Sequence, residues 1–141
     1  MAAAHLARIA TEDAPPPAGH YSQAVRAGAH LYISGQLPIR ADGSRPVDAG
    51  FEEQARQALA NMLAILGAAG GRPEHLARVA VYIVGIEHWQ RFNAIYAEML
   101  PGARPARSVV PVPALHYGFL VEVDAVAFLP DATGTATGSI P

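Results

Sequence analysis

Pro105 to Leu129 reads PARSVVPVPALHYGFLVEVDAVAFL, and the fold turns on how this stretch pairs with the rest of the chain. It holds two extended runs, each with charge where another apolar residue would be expected. In the first, Arg107 sits among Ala106, Val109, Val110 and Val112; in the second, Glu122 and Asp124 interrupt Val121, Val123, Ala125 and Val126. Strands this apolar read as buried on at least one face. A charge in such a place costs free energy unless it is paired or hydrogen-bonded, so it has either a partner or a task. Two adjacent strands would bring Arg107 and Glu122 together. The pair is then either a structural ion bridge or the core of a site.

The remaining elements follow from periodicity. Short strands are expected at Tyr21 to Ala27 and His30 to Gln36, joined as a hairpin near Gly28. Leu37 to Ala49, with Pro38, Gly43 and Pro46, reads as a loop. Phe51 to Ala69 has apolar residues at Phe51, Ala55, Ala58, Leu59, Met62, Leu66 and Ala69, the stripe of an amphipathic helix. Glu52 and Glu53 suit its N-terminus, Asp48 is a candidate cap, and Gly70-Gly71 stops it. His75 to Val84 alternates as a strand, with Val79, Val81 and Ile83 on one side and Arg78, Ala80 and Tyr82 on the other. Glu87 to Leu100 is a second helix, with Trp89, Phe92, Tyr96 and Met99 as its expected core stripe and Pro101-Gly102 as its stop. Strands at about Ala106 to Val112 and Phe119 to Leu129 complete the chain.

The resulting order, β-β-α-β-α-β-β, defines an α+β fold: a mixed sheet with two helices packed on one face. One domain over residues 1–141 is expected, with 1–18 a proline-marked arm over the surface and 131–141 a Thr/Gly/Ser-rich disordered tail. The second sheet face also carries apolar side chains, and a symmetric oligomer is the simplest cover for it.

Composition narrows the function. Hydrophobic residues make up 51% of the 141 residues and charged residues 16%, enough for one real core. All 10 basic residues are arginine, so Schiff-base lysine chemistry is excluded, and the absence of cysteine excludes thiolate chemistry. A net charge of −2 leaves no electrostatic footprint for nucleic acid. No apolar run approaches the roughly 20 residues that span a bilayer, and nothing at the N-terminus resembles a signal peptide, so the cytoplasm is the expected compartment. The six histidines lack metal-ligand spacing, and no phosphate loop or nucleophile elbow is present.

Five separated motifs, in order, resemble one family. They are Tyr21-Ser22-Gln23-Ala24-Val25, Ser34-Gly35-Gln36, Glu53-Gln54-Ala55-Arg56-Gln57-Ala58-Leu59, Asn93-Ala94-Ile95-Tyr96, and Pro105-Ala106-Arg107-Ser108 with Val121-Glu122-Val123. Together they are similar to the RidA (YjgF, L-PSP) family from about Gly19 to Phe128. The resemblance implies a chorismate-mutase-like fold, a homotrimer with ligand clefts between subunits, and no cofactor or metal. It implies hydrolysis of reactive enamines and imines to 2-keto acids and ammonia. By the same resemblance, Arg107 binds the substrate carboxylate and Glu122 activates water, while Tyr21, Ser34, Gly35, Asn93 and Val109 contact the substrate. Endoribonuclease activity and a non-catalytic trimer that binds small carboxylates are the alternatives. This chain departs from the family at Val109, where a cysteine is common, at Pro111, and at His20 and His116, where prolines are usual. Those departures bear on substrate range.

Overall fold

Strand pairing decides where each charge ends up. In this computed structural model, which describes residues 6–130, six strands form one sheet in the order β1-β2-β3-β6-β4-β5. The strands are β1 (Leu6–Ile9), β2 (Ala24–Ala27), β3 (His30–Gln36), β4 (Leu76–Ile83), β5 (Ala106–Pro111) and β6 (Val121–Phe128). Helix α1 (Phe51–Ala68) connects β3 to β4, and α2 (Trp89–Met99) connects β4 to β5. Only β4 and β5 run parallel; the other pairs are antiparallel. A helical crossover between neighbouring strands requires that parallel pairing.

The α+β architecture and the two-helix layer agree with the sequence reading. Alternation sends Leu31, Ile33, Val79, Val81, Val121 and Val123 to one face of the sheet, and all are buried. The helices close over that face with Leu59, Met62, Ile65 and Leu66 from α1, and Phe92 and Ile95 from α2. Two buried amides of α1, Asn61 and Gln54, are bonded inside this layer. Asn61 donates to the Leu37 and Ile39 carbonyls at 3.0 and 2.8 Å, tying down the loop before α1. Gln54, buried in α1, donates to the Ala49 carbonyl and accepts from the Leu120 N–H, both at 2.9 Å, fixing the start of β6.

Three expectations are corrected. The N-terminal arm includes a strand: Leu6–Ile9 pairs antiparallel with β2. The following residues are held by Gln23, which accepts from the Thr11 N–H at 2.7 Å and donates to the Pro15 carbonyl at 2.9 Å. Asp48 does not cap α1. Gly50 is the N-cap, with extended backbone and no side-chain cap bond, because Asp48 lies too far upstream to reach the first turn. Finally, β4 lies between β5 and β6, so Arg107 and Glu122 are not on adjacent strands. The expected tail at 131–141 falls outside the described residues.

Replacing Gln54 with Leu would strand the Leu120 N–H and the Ala49 carbonyl without partners. Urea titration should show unfolding free energy lowered by about 1–3 kcal/mol, with little change in slope.

Candidate active site

Register places the two key charges on opposite faces of the sheet. Arg107 pairs with Val79, whose side chain is in the core, so Arg107 projects on the helix side. Glu122 pairs with Tyr82, and Asp124 with Ala80, on the open face. The possible Arg107–Glu122 ion bridge within one chain is therefore ruled out.

Arg107 sits on the terminal strand of the sheet and is half-buried. Its Nη1 donates to Asn93 Oδ1 at 2.9 Å. Its guanidinium carbon lies 4.8 Å from the centre of the Tyr96 ring, a cation–π distance. Among the described residues no carboxylate forms a salt bridge with it. A planar cation held by a neutral amide and a ring keeps its charge available for a ligand anion. Beside it Ile86, Trp89 and Val109 wall an open cavity of about 310 Å³. Burial raises the pKa of Tyr96, with Arg107 opposing, and the Tyr96 hydroxyl is buried without a partner.

Glu122 belongs to a second cavity, of about 480 Å³, shared with Tyr21, Ser34, Gly35 and His116. A bulge opens β3 against β6 between Ile33 and Gln36, where the register shifts. Ser34 and Gly35 fall in it, a device that often re-aims residues beside sites. Gly35 leaves room for the carboxyl: a Cβ at this position would meet the Glu122 carboxyl carbon at 3.2 Å and an oxygen still closer, so a larger residue would displace that side chain. Ser34 Oγ donates to the Ser22 carbonyl at 2.6 Å, and the Tyr21 hydroxyl accepts from the Ala18 N–H at 3.0 Å. Burial pushes the Glu122 carboxyl above the ordinary glutamate range; His116 pulls it down and Asp124 adds to the rise. Among the described residues no cluster of ligating side chains is arranged to hold a metal ion.

The sequence-derived candidates thus divide into two groups. Arg107, Asn93 and Val109 lie at the first cavity, while Glu122, Tyr21, Ser34 and Gly35 lie at the second. Trp89 is corrected from core to cavity wall, 40% exposed. It is the first residue of α2 and stands at the end of the stripe that buries Phe92 and Tyr96. Ile86 and Tyr117 were also missed. Gly85, with a φ of 91° just before Ile86, was the available sign of a sharp turn there.

The profile of the family described as Endoribonuclease L-PSP matches residues 11–129. The chain belongs to this family. It is 40% identical over 120 residues to a RutC family protein of Pyrococcus horikoshii, covering 85% of this chain and 95% of that one. Among solved structures, RidA from the Antarctic bacterium Psychrobacter matches with a TM-score of 0.81 and 34% identity, covering 87% and 99% of the two chains. E. coli TdcF with bound serine matches with a TM-score of 0.82 and 30% identity, covering 88% and 99%. No helix among the described residues is long and apolar enough to cross a membrane.

The raised pKa of Glu122 carries a sign that can be measured. Folding favours the protonated carboxyl, so its contribution to stability is complete below the ordinary glutamate range and is lost as pH rises through the raised value. Glu122→Gln, neutral throughout, should melt above the wild type at pH ~8. The difference should vanish near pH ~4, followed by circular dichroism.

Proposed function

We propose that the protein hydrolyses reactive 2-imino and 2-enamino acids, aminoacrylate-like species included, to 2-keto acids and ammonia, without a cofactor. The observation that carries this reading is Arg107: a guanidinium at a cavity, oriented by Asn93 and Tyr96 and free of carboxylate partners among the described residues. Such a fork holds the substrate carboxylate bidentately and sets the C=N carbon at a fixed place.

Glu122 supplies the acid–base step. Water attacks the carbon of the protonated imine while the Glu122 carboxylate takes a proton from it, giving a neutral carbinolamine. The protonated carboxyl then returns that proton to nitrogen and the C–N bond breaks to release ammonia. The hydroxyl proton passes to the carboxylate as that oxygen becomes the keto oxygen, and the proton finally leaves with ammonia as ammonium. A carboxyl with a raised pKa suits both halves of this transfer. An enamine first takes a proton at its terminal carbon to become the same imine. The imine carbon is already electrophilic, so orientation and one proton carrier suffice.

The two half-sites lie on opposite faces of one sheet, and a homotrimer joins them: the Arg107 side of one subunit meets the Glu122 side of the next. The open sheet face supports this arrangement, since Tyr32 and Phe128 stand 49% and 55% exposed on it, beside half-buried Val126. The serine bound by the E. coli relative, an α-carboxylate with an adjacent nitrogen, supports the substrate class. A net charge of −2 and the lack of lysine argue against RNA as the substrate. A binding module that does not turn over its ligand is the second reading, favoured by the self-contained Arg107 half-site.

An amino-acid oxidase coupled to semicarbazide trapping tests the reaction. The wild type should suppress trapping of the imine, Arg107→Ala should lower the rate by at least about a hundredfold, and Asn93→Ala by about tenfold. Imine that decays equally fast with and without the protein rejects the deaminase reading in favour of binding alone. Sedimentation equilibrium should return three times the chain mass; a monomer would reject the shared site.

A further inference from the structure

The Glu122 cavity has one wall that the proposed proton transfer leaves unexplained. Tyr117 has φ 65° and ψ 5°, and it is the one non-glycine residue with positive φ among the described residues. That left-handed geometry is strained for a side chain this large, and strained backbone of this kind clusters at ligand sites. The ring is held on several sides. The Arg45 guanidinium carbon lies 3.9 Å from its centre. Phe119 meets it edge-on at 6.2 Å, and His116 lies tilted beside it at 6.0 Å.

Arg45 comes from the loop before α1 and forms no salt bridge among the described residues. Two distant segments therefore converge to fix a ring that is still 42% exposed. Burial does not account for the arrangement. The ring borders the cavity that holds Glu122 and Tyr21, whereas Arg45 itself does not line it. This half of the site, about 480 Å³ and open to solvent, leaves room beside Glu122 for a substrate side chain.

We propose that Tyr117 is a specificity-determining residue, held in place by Arg45 as a positioning residue. With Tyr21 it forms an aromatic subsite for the substrate side chain. The preferred substrates are then 2-imino acids bearing an aryl group rather than small aliphatic ones. This inference rests on the deaminase reading for the carboxylate and imine ends of the substrate. The subsite itself is defined by stacking and is open to a binding test.

Phenylpyruvate and pyruvate, as stable keto-acid probes, would be titrated into the full chain by calorimetry. The wild type should bind phenylpyruvate about tenfold more tightly, the scale of one well-placed aromatic contact. Tyr117→Gly, which suits the left-handed backbone, should bring the ratio close to one, and Tyr117→Phe should keep it. Arg45→Ala should reduce the ratio, and Arg45→Lys, which preserves the cation over the ring, should restore most of it. Equal or reversed preference in the wild type, no binding of either acid, or a ratio that survives Tyr117→Gly overturns the proposal. Failure of the deaminase reading shows separately, as unchanged imine decay in the trapping assay.

Discussion

The position of β4 is the constraint on which the rest depends. It pairs parallel to β5 on one side and antiparallel to β6 on the other. Cross-strand partners share a face, so Val79 carries Arg107 to the helix side and Tyr82 carries Glu122 to the open side. The thickness of the sheet keeps a cation and an anion from neutralising one another. Each therefore keeps the property it would lose in a bridge: the guanidinium its unmatched charge, the carboxyl its readiness to hold a proton.

Elsewhere in the same chain, ion pairing has a conventional form. Arg56 bridges Glu52 and Glu98 between the two helices, and Arg91 also pairs with Glu52. These groups are solvent-exposed, where such pairs contribute little to stability. The chain thus has carboxylates within reach of arginines on its helical surface, while Arg107 is given an amide and a ring. That contrast separates a residue that stitches elements together from one held ready for a ligand.

Much of this architecture was legible from local pattern. The alternation of Val79, Val81 and Ile83 against Arg78 and Tyr82, and the stripe along α1, mark elements whose burial the structure repeats, although Ala80 is buried as well. Strand adjacency was not legible in the same way, because pairing is a non-local property and period-two patterns do not name a neighbour. The α2 crossover makes β5 run parallel beside β4, but β6 could still have joined either strand, and its pairing with β4 is what separates Arg107 from Glu122. Strand β1 escaped notice because Leu6, Ala7 and Arg8 are all exposed and show no alternation. Trp89 misled by its spacing: three residues before Phe92, it fits the stripe, yet at the start of the helix it stands 40% exposed at the cavity beside Arg107. Tyr117 gave no local sign, since left-handed backbone at a tyrosine depends on the groups around it.

Gln23 bears on the dynamics of the chain. Its single amide gathers the Thr11 N–H and the carbonyls of Thr11, Ala14 and Pro15, while β1 buries almost nothing of its own. The first strand is thus latched rather than packed. Opening it would sacrifice a few hydrogen bonds and, of β1's own side chains, the contact of Ile9 with the core, so it is expected to form a low-stability unit that opens before global unfolding. Each such opening bares the outer edge of β2, a ready template for a strand from another chain. The latch therefore sets how often this protein is exposed to strand exchange with its own copies.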